Sequence, residues 1–119
     1  MKAIDPSKIE NYHAHIYYDA ASREIAAQIR ESIEKNFAVE LGRWHDEPIG
    51  PHPDAMYQVK FAVAEFSRLV PWLMLNRRGL NILVHPNTGD AFEDHATNSL
   101  WLGDKLPLRL DVLRNLPKK

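Results

Sequence analysis

Residues 12–18 alternate in character, with Ala14 and Ile16 to one side and His13, His15 and Tyr17 to the other. That two-residue period, in a run rich in strand formers, predicts a half-buried β-strand. A helix is expected next. Asp19 or Ser22 supplies an N-cap, and Glu24 sits in the first turn, where the helix dipole favours a carboxylate. Ile25, Ile29 and Ile33, with Ala26 beside them, make one apolar stripe that ends near Asn36. Residues 37–45 read as a second strand. Residues 46–53 contain three prolines and Gly50, and so predict a loop.

The third expected strand, residues 55–61, sends Tyr57, Val59 and Phe61 one way and Met56, Gln58 and Lys60 the other. Residues 63–77 predict a second helix with Phe66, Val70 and Leu73 inward. Pro71 should kink or split it, because proline removes a backbone donor. Arg77, Arg78 and Gly79 form a helix stop. Residues 80–85 predict a fourth strand with Ile82 and Val84 inward and Asn81, Leu83 and His85 outward. From Pro86 the chain reads as loop, carrying His95 and Trp101.

The order strand–helix–strand–strand–helix–strand implies an α+β fold of the ferredoxin-like βαββαβ type. Its four-stranded antiparallel sheet would carry both helices on one face. The first strand should be central, between the third and the fourth. The uncovered face would then display His13, His15, Tyr17, Gln58, Asn81 and His85. Such a polar and aromatic face suits a functional site or a dimer surface better than a second core.

Composition narrows the chemistry. The 119 residues fit one domain, residues 1–119, and 45% hydrophobic with 26% charged residues is a globular balance. A formal net charge of -1 leaves no electrostatic footprint for nucleic acid or an anionic membrane. No apolar run approaches a bilayer span, and the N-terminus has no signal-peptide core, so a soluble cytoplasmic protein is expected. Cysteine is absent, which removes disulfides, thiolate ligands and thiol catalysis. A transition metal would have to sit on His, Asp or Glu.

Six histidines therefore carry the candidate chemistry. In a strand His13 and His15 share a face about 6.5–7 Å apart, close enough for both imidazoles to lean onto one metal ion. The fourth strand should run antiparallel beside the first, bringing His85 to the same end of the same face. His13, His15 and His85 are thus the expected metal ligands. His95 could be carried back over that end, with Glu93 or Asp94 as a partner that orients the ring or as a further ligand. Its expected role is general acid/base catalysis. His52 lies roughly 15–20 Å along the sheet from His13 on this geometry, at about 3.3 Å per residue. It joins the site only if its loop folds over the sheet or a second subunit delivers it. His45 is expected at the surface. Tyr17 and Trp101 are aromatic enough to line a ring pocket, whereas Trp72 suits the core. Three nitrogen ligands with open positions are compatible with Fe(II), Zn(II), Mn(II) or Cu(II).

Several ordered segments resemble one family. His13-Ala14-His15-Ile16-Tyr17-Tyr18, Gly50-Pro51-His52-Pro53, Met56-Tyr57-Gln58 and Leu83-Val84-His85-Pro86 are similar to the DOPA 4,5-dioxygenase family of small aromatic ring-cleaving enzymes. Asp94-His95 and Leu100-Trp101-Leu102-Gly103 extend the likeness. The resemblance implies a compact ferredoxin-like fold and extradiol cleavage of DOPA or a related catechol by dioxygen. It suggests iron, with Zn(II) or Mn(II) as alternatives. It adds His52 to His95 as expected catalytic residues, and Tyr17, Gln58 and Trp101 as expected substrate contacts. A homodimer is the expected assembly, in which one subunit's loop could reach its partner's site. Two rival readings share the histidine pattern: a non-catalytic dimeric module binding a metal or small aromatic, and a zinc-dependent hydrolase or isomerase.

Overall fold

A computed structural model describes residues 1–118. Five strands form one antiparallel sheet: β1 (Asn11–Tyr18), β2 (Val39–Leu41), β3 (Ala55–Phe61), β4 (Ile82–Asn87) and β5 (Leu100–Leu102). Three α-helices accompany them: α1 (Arg23–Asn36), α2 (Phe66–Asn76) and α3 (Ala91–His95). The sheet order is β2-β3-β1-β4-β5, so β1 does lie between β3 and β4. The expected four-stranded, two-helix arrangement is corrected to an α+β fold with a fifth edge strand and a third helix. Both additions fall in the stretch after Pro86 that reads as loop. No helix among the described residues is long and apolar enough to cross a membrane.

The main core follows the alternation. Ala14 and Ile16 of β1, Tyr57, Val59 and Phe61 of β3, and Ile82 and Val84 of β4 are buried against Ala26, Ile29 and Ile33 of α1. Leu69, Val70 and Leu73 of α2 close the same layer. Burying each Val, Leu, Ile or Phe side chain among these stabilises the fold by about 1.5–3 kcal/mol. Helix α2 runs through Pro71 rather than splitting there. Pro71 and Ser67 are both exposed, so the carbonyl that loses its partner can be hydrated.

Strand β2 is shorter than expected. Leu41 pairs with Val59, and the next bridge joins His45 to Met56. Four steps on one strand thus oppose three on the other, which is a β-bulge across Gly42, Arg43 and Trp44.

The opposite face is covered as well. Tyr17, Met56 and Leu83 form a second buried cluster beneath Trp101, Leu106 and Leu108. Residue 103 turns the chain back over this face with φ +86°, and a Cβ there would meet Asn81 Oδ1 at 2.5 Å and Arg77 Nη1 at 2.7 Å. Glycine is needed on both counts. The backbone N–H of Arg109 then donates to the Pro51 carbonyl at 2.8 Å, tying this C-terminal arm to the loop that carries His52. The face expected to be open is a layered interior.

Candidate metal centre and its surroundings

The inner face of the central strands fixes three imidazoles. His13 of β1 stands directly across from His85 of β4, and His15 follows two residues along. Ring centroids lie 5.9 Å apart for His13 and His15, 5.1 Å for His13 and His85, and 5.1 Å for His15 and His85. His15 and His85 are buried, and their Nε2 atoms are 3.1 Å apart. His13, His15 and His85 can offer ligand atoms within 4.8 Å of one another.

Two more histidines arrive from irregular segments. His52 comes from the 46–53 loop, its centroid 4.1 Å from that of His15. His95, the last residue of α3, stands 3.9 Å from His85 and 6.1 Å from His15. A second group able to hold a metal is accordingly His15, His52 and His95. The expected distance of His52 from the site is corrected: the loop folds over the sheet within one chain. No second subunit is needed to bring it there.

The hydrogen-bond partners of these rings are specific. His85 Nδ1 lies 2.9 Å from the Pro86 carbonyl, and His95 Nδ1 lies 2.7 Å from the Ala91 carbonyl. His52 Nδ1 is 2.7 Å from the Tyr17 hydroxyl. His15 Nδ1 is buried with no partner among the described residues. Asp94, one of the two carboxylates expected to orient His95, makes its hydrogen bonds elsewhere. Asp94 is buried and accepts from the Thr88 backbone N–H at 2.8 Å and the Thr88 hydroxyl at 2.7 Å, fixing the turn from β4 into α3. Asp90 caps that helix by accepting from the Glu93 N–H. The Asp90-to-Glu93 spacing is a helix-start signal legible in the sequence, whereas the bonds of Asp94 to Thr88 are not.

Burial makes these imidazoles neutral. It lowers His85 to about 3, helped by the neighbouring His95. His13 falls to about 4, through burial first and then His95 and Lys60. His52 also falls to about 4, through burial and then His95 and His45. His15 lies well below its ordinary value, and His95 is lowered too, partly offset by the Ala91 carbonyl and Asp94. Near neutral pH the rings are uncharged, and each has one nitrogen without a proton. A 3.1 Å separation of two nitrogens also matches a shared metal at about 2.0–2.1 Å from each, with a bond angle of about 100°. The residues therefore fit a metal ion.

Of the expected substrate contacts, Trp101 lines a cavity that His95 also borders, while Tyr17 and Gln58 neighbour the histidines on the sheet. Tyr17 is buried and lies parallel to Trp101, 5.9 Å between centroids and 16° between planes. Trp101 Nε1 is buried without a partner among the described residues. Gln58 stands directly across from His15 on β3. A cavity of about 370 Å³ is lined by His95, Thr97, Trp101, Lys105, Leu106 and Leu108 among others. That volume is in the range of small-molecule sites. Trp72, expected in the core, packs edge-on against Phe37 there.

Fold and site together define a small α+β protein with a buried polyhistidine cluster able to hold a metal ion. The model of the Dopa 4,5-dioxygenase family matches residues 12–112, and the chain belongs to that family. It is 33% identical over 128 residues to the DOPA 4,5-dioxygenase of Amanita muscaria, covering 100% of this chain and 55% of that protein. It is 36% identical over 120 residues to an uncharacterised 21.2 kDa protein of Botryotinia fuckeliana, covering 91% of this chain and 66% of the relative. This chain thus spans only about half to two thirds of these relatives' lengths. A crystal structure of a provisionally named dioxygenase from Nostoc punctiforme PCC 73102 superposes with a TM-score of 0.93. The two are 58% identical, over 94% of this chain and 97% of that one.

Proposed function

We propose that this protein is a non-haem, metal-dependent dioxygenase that opens catecholic rings by extradiol cleavage, with Fe(II) held by His13, His15 and His85. The observation that carries this reading is His15 with four other neutral imidazoles around it, beside a cavity lined by His95 and Trp101. Iron bound there would supply a common point of attachment for the catechol oxygens and dioxygen. The chain's own groups do the rest. Tyr17 and Trp101 form a flat wall suited to an aromatic ring. Gln58, across from His15, offers an amide to a substrate oxygen. Lys105 gives the cavity a cation suited to a substrate carboxylate, such as that of DOPA. His52 and His95 are the groups that hold and move protons. The layers over both faces of the sheet keep bulk water from the rings, which burial of His15 and His85 reflects.

Anaerobic loading with Fe(II), followed by oxygen-electrode and absorbance measurements against a panel of catechols, tests this. Oxygen uptake with a yellow ring-opened product supports the reading; metal binding without uptake on any catechol would leave only a binding module. The all-nitrogen ligand set also describes catalytic zinc. Metal analysis after anaerobic purification separates the two, since stoichiometric zinc in place of iron favours a hydrolase or isomerase.

A further inference from the structure

A neutral imidazole has one N–H and one bare nitrogen, and the partner of one nitrogen decides the state of the other. A carbonyl oxygen can only accept. The Ala91 carbonyl, 2.7 Å from His95 Nδ1, therefore places the proton of His95 on Nδ1 and leaves Nε2 bare. His85 is fixed in the same way by the Pro86 carbonyl at 2.9 Å.

His52 is different. Its Nδ1 lies 2.7 Å from the Tyr17 hydroxyl, which has a proton to give. A buried hydroxyl proton needs an acceptor, and among the described residues His52 Nδ1 is the hydrogen-bond partner of this phenol. The phenol donates, so the proton of His52 is forced onto Nε2.

We propose that Tyr17 is a positioning residue that holds His52 as an N–H donor, while the Ala91 carbonyl holds His95 as a bare-nitrogen acceptor. The two rings, 6.2 Å apart, then form a matched pair with opposite duties. His95 lines the cavity, where its bare Nε2 is suited to accept a hydrogen bond from a substrate hydroxyl, and His52 Nε2–H is suited to donate one to a substrate oxygen. Two similar residues thus receive unlike tasks from their backbone and side-chain neighbours. The inference rests on the dioxygenase reading only for what the pair acts upon.

The tautomers can be measured without metal or substrate. In ¹⁵N-histidine-labelled, metal-free protein near neutral pH, long-range proton–nitrogen spectra should show the His52 proton on Nε2 and the His95 proton on Nδ1. In Tyr17→Phe the His52 signals should move toward a mixture of tautomers while those of His95 stay in place. A proton on Nδ1 of His52 in the parent protein, or on Nε2 of His95, would overturn the assignment. His52 signals unmoved by Tyr17→Phe would remove the positioning role of Tyr17. The parent spectrum decides the assignment even if that variant fails to fold. Loss of the dioxygenase reading would show as absent oxygen uptake and leave these signals unchanged.

Discussion

Taking the metal-free protein from pH 7.5 to pH 5 offers protons that the unfolded chain accepts and the folded chain refuses. An unfolded histidine titrates near 6.5, whereas folded His52 and His85 titrate at about 4 and about 3. Between these limits the unfolded state binds more protons, so stability falls as pH falls. The contribution is fully present above about pH 6.5 and stops changing below the folded values. At pH 5 each of these two buried rings has crossed about 1.5 units of the window, roughly 2 kcal/mol apiece at 1.36 kcal/mol per unit. Their sum, about 4 kcal/mol, is a large part of the 5–15 kcal/mol that holds a typical domain together. His13, His15 and His95 push in the same direction. The carboxylates lowered by hydrogen bonding, Asp5, Asp19 and Asp46, start from 3.8 and stay ionised throughout this range. Urea midpoints with chelator present should therefore drop by about 2 M between pH 7.5 and pH 5 if the slope is near 2 kcal/mol per molar. His85→Gln should recover about half of the loss assigned to the two rings. A midpoint that stays level across these pH values would refute the claim that the cluster is buried and uncharged.

Other outcomes follow from single positions. His15→Ala removes the ring shared by both candidate ligand groups, so metal affinity measured by competitive chelation should fall about 100-fold or more; unchanged affinity removes His15 from the ligand set. Lys105→Gln should raise KM about fivefold for catechols bearing a carboxylate, the effect of an exposed ion pair, and leave unsubstituted catechol unaffected. Equal change for both substrates would place the carboxylate elsewhere. Gly103→Ala combines a left-handed backbone with contacts to Asn81 and Arg77, and should destabilise the protein by about 1–3 kcal/mol in thermal melts.

The convergence of His13, His15 and His85 is legible in sequence because strand parity and antiparallel neighbours determine it without knowledge of any loop. His13 pairing with His85 is the direct outcome of that rule. The position of His52 is not legible, since a loop rich in proline can take many paths and local pattern does not choose among them. Strand β5, at three residues, and helix α3, at five, are too short for a two- or 3.6-residue period to register. The cover over the second face has no periodic signal either: Leu106 and Leu108 flank Pro107 and belong to no strand or helix. His95 was recognisable as a candidate, but its orienting partner is a backbone carbonyl, which no side-chain pattern announces.

The single additional residue between Leu41 and His45 is taken up locally by the bulge. Leu41 and Trp44 both pack on the helix side, a parity that a regular strand forbids for positions three apart. His45 is bridged to Met56, which belongs to the histidine-side cluster, so the chain leaves the bulge committed to that side. Removing Gly42 or Arg43 would leave a regular ladder from Leu41–Val59 to His45–Met56, with Trp44 opposite Tyr57 and still on the helix side, so the bulge absorbs the extra residue without slipping the register on either side of it.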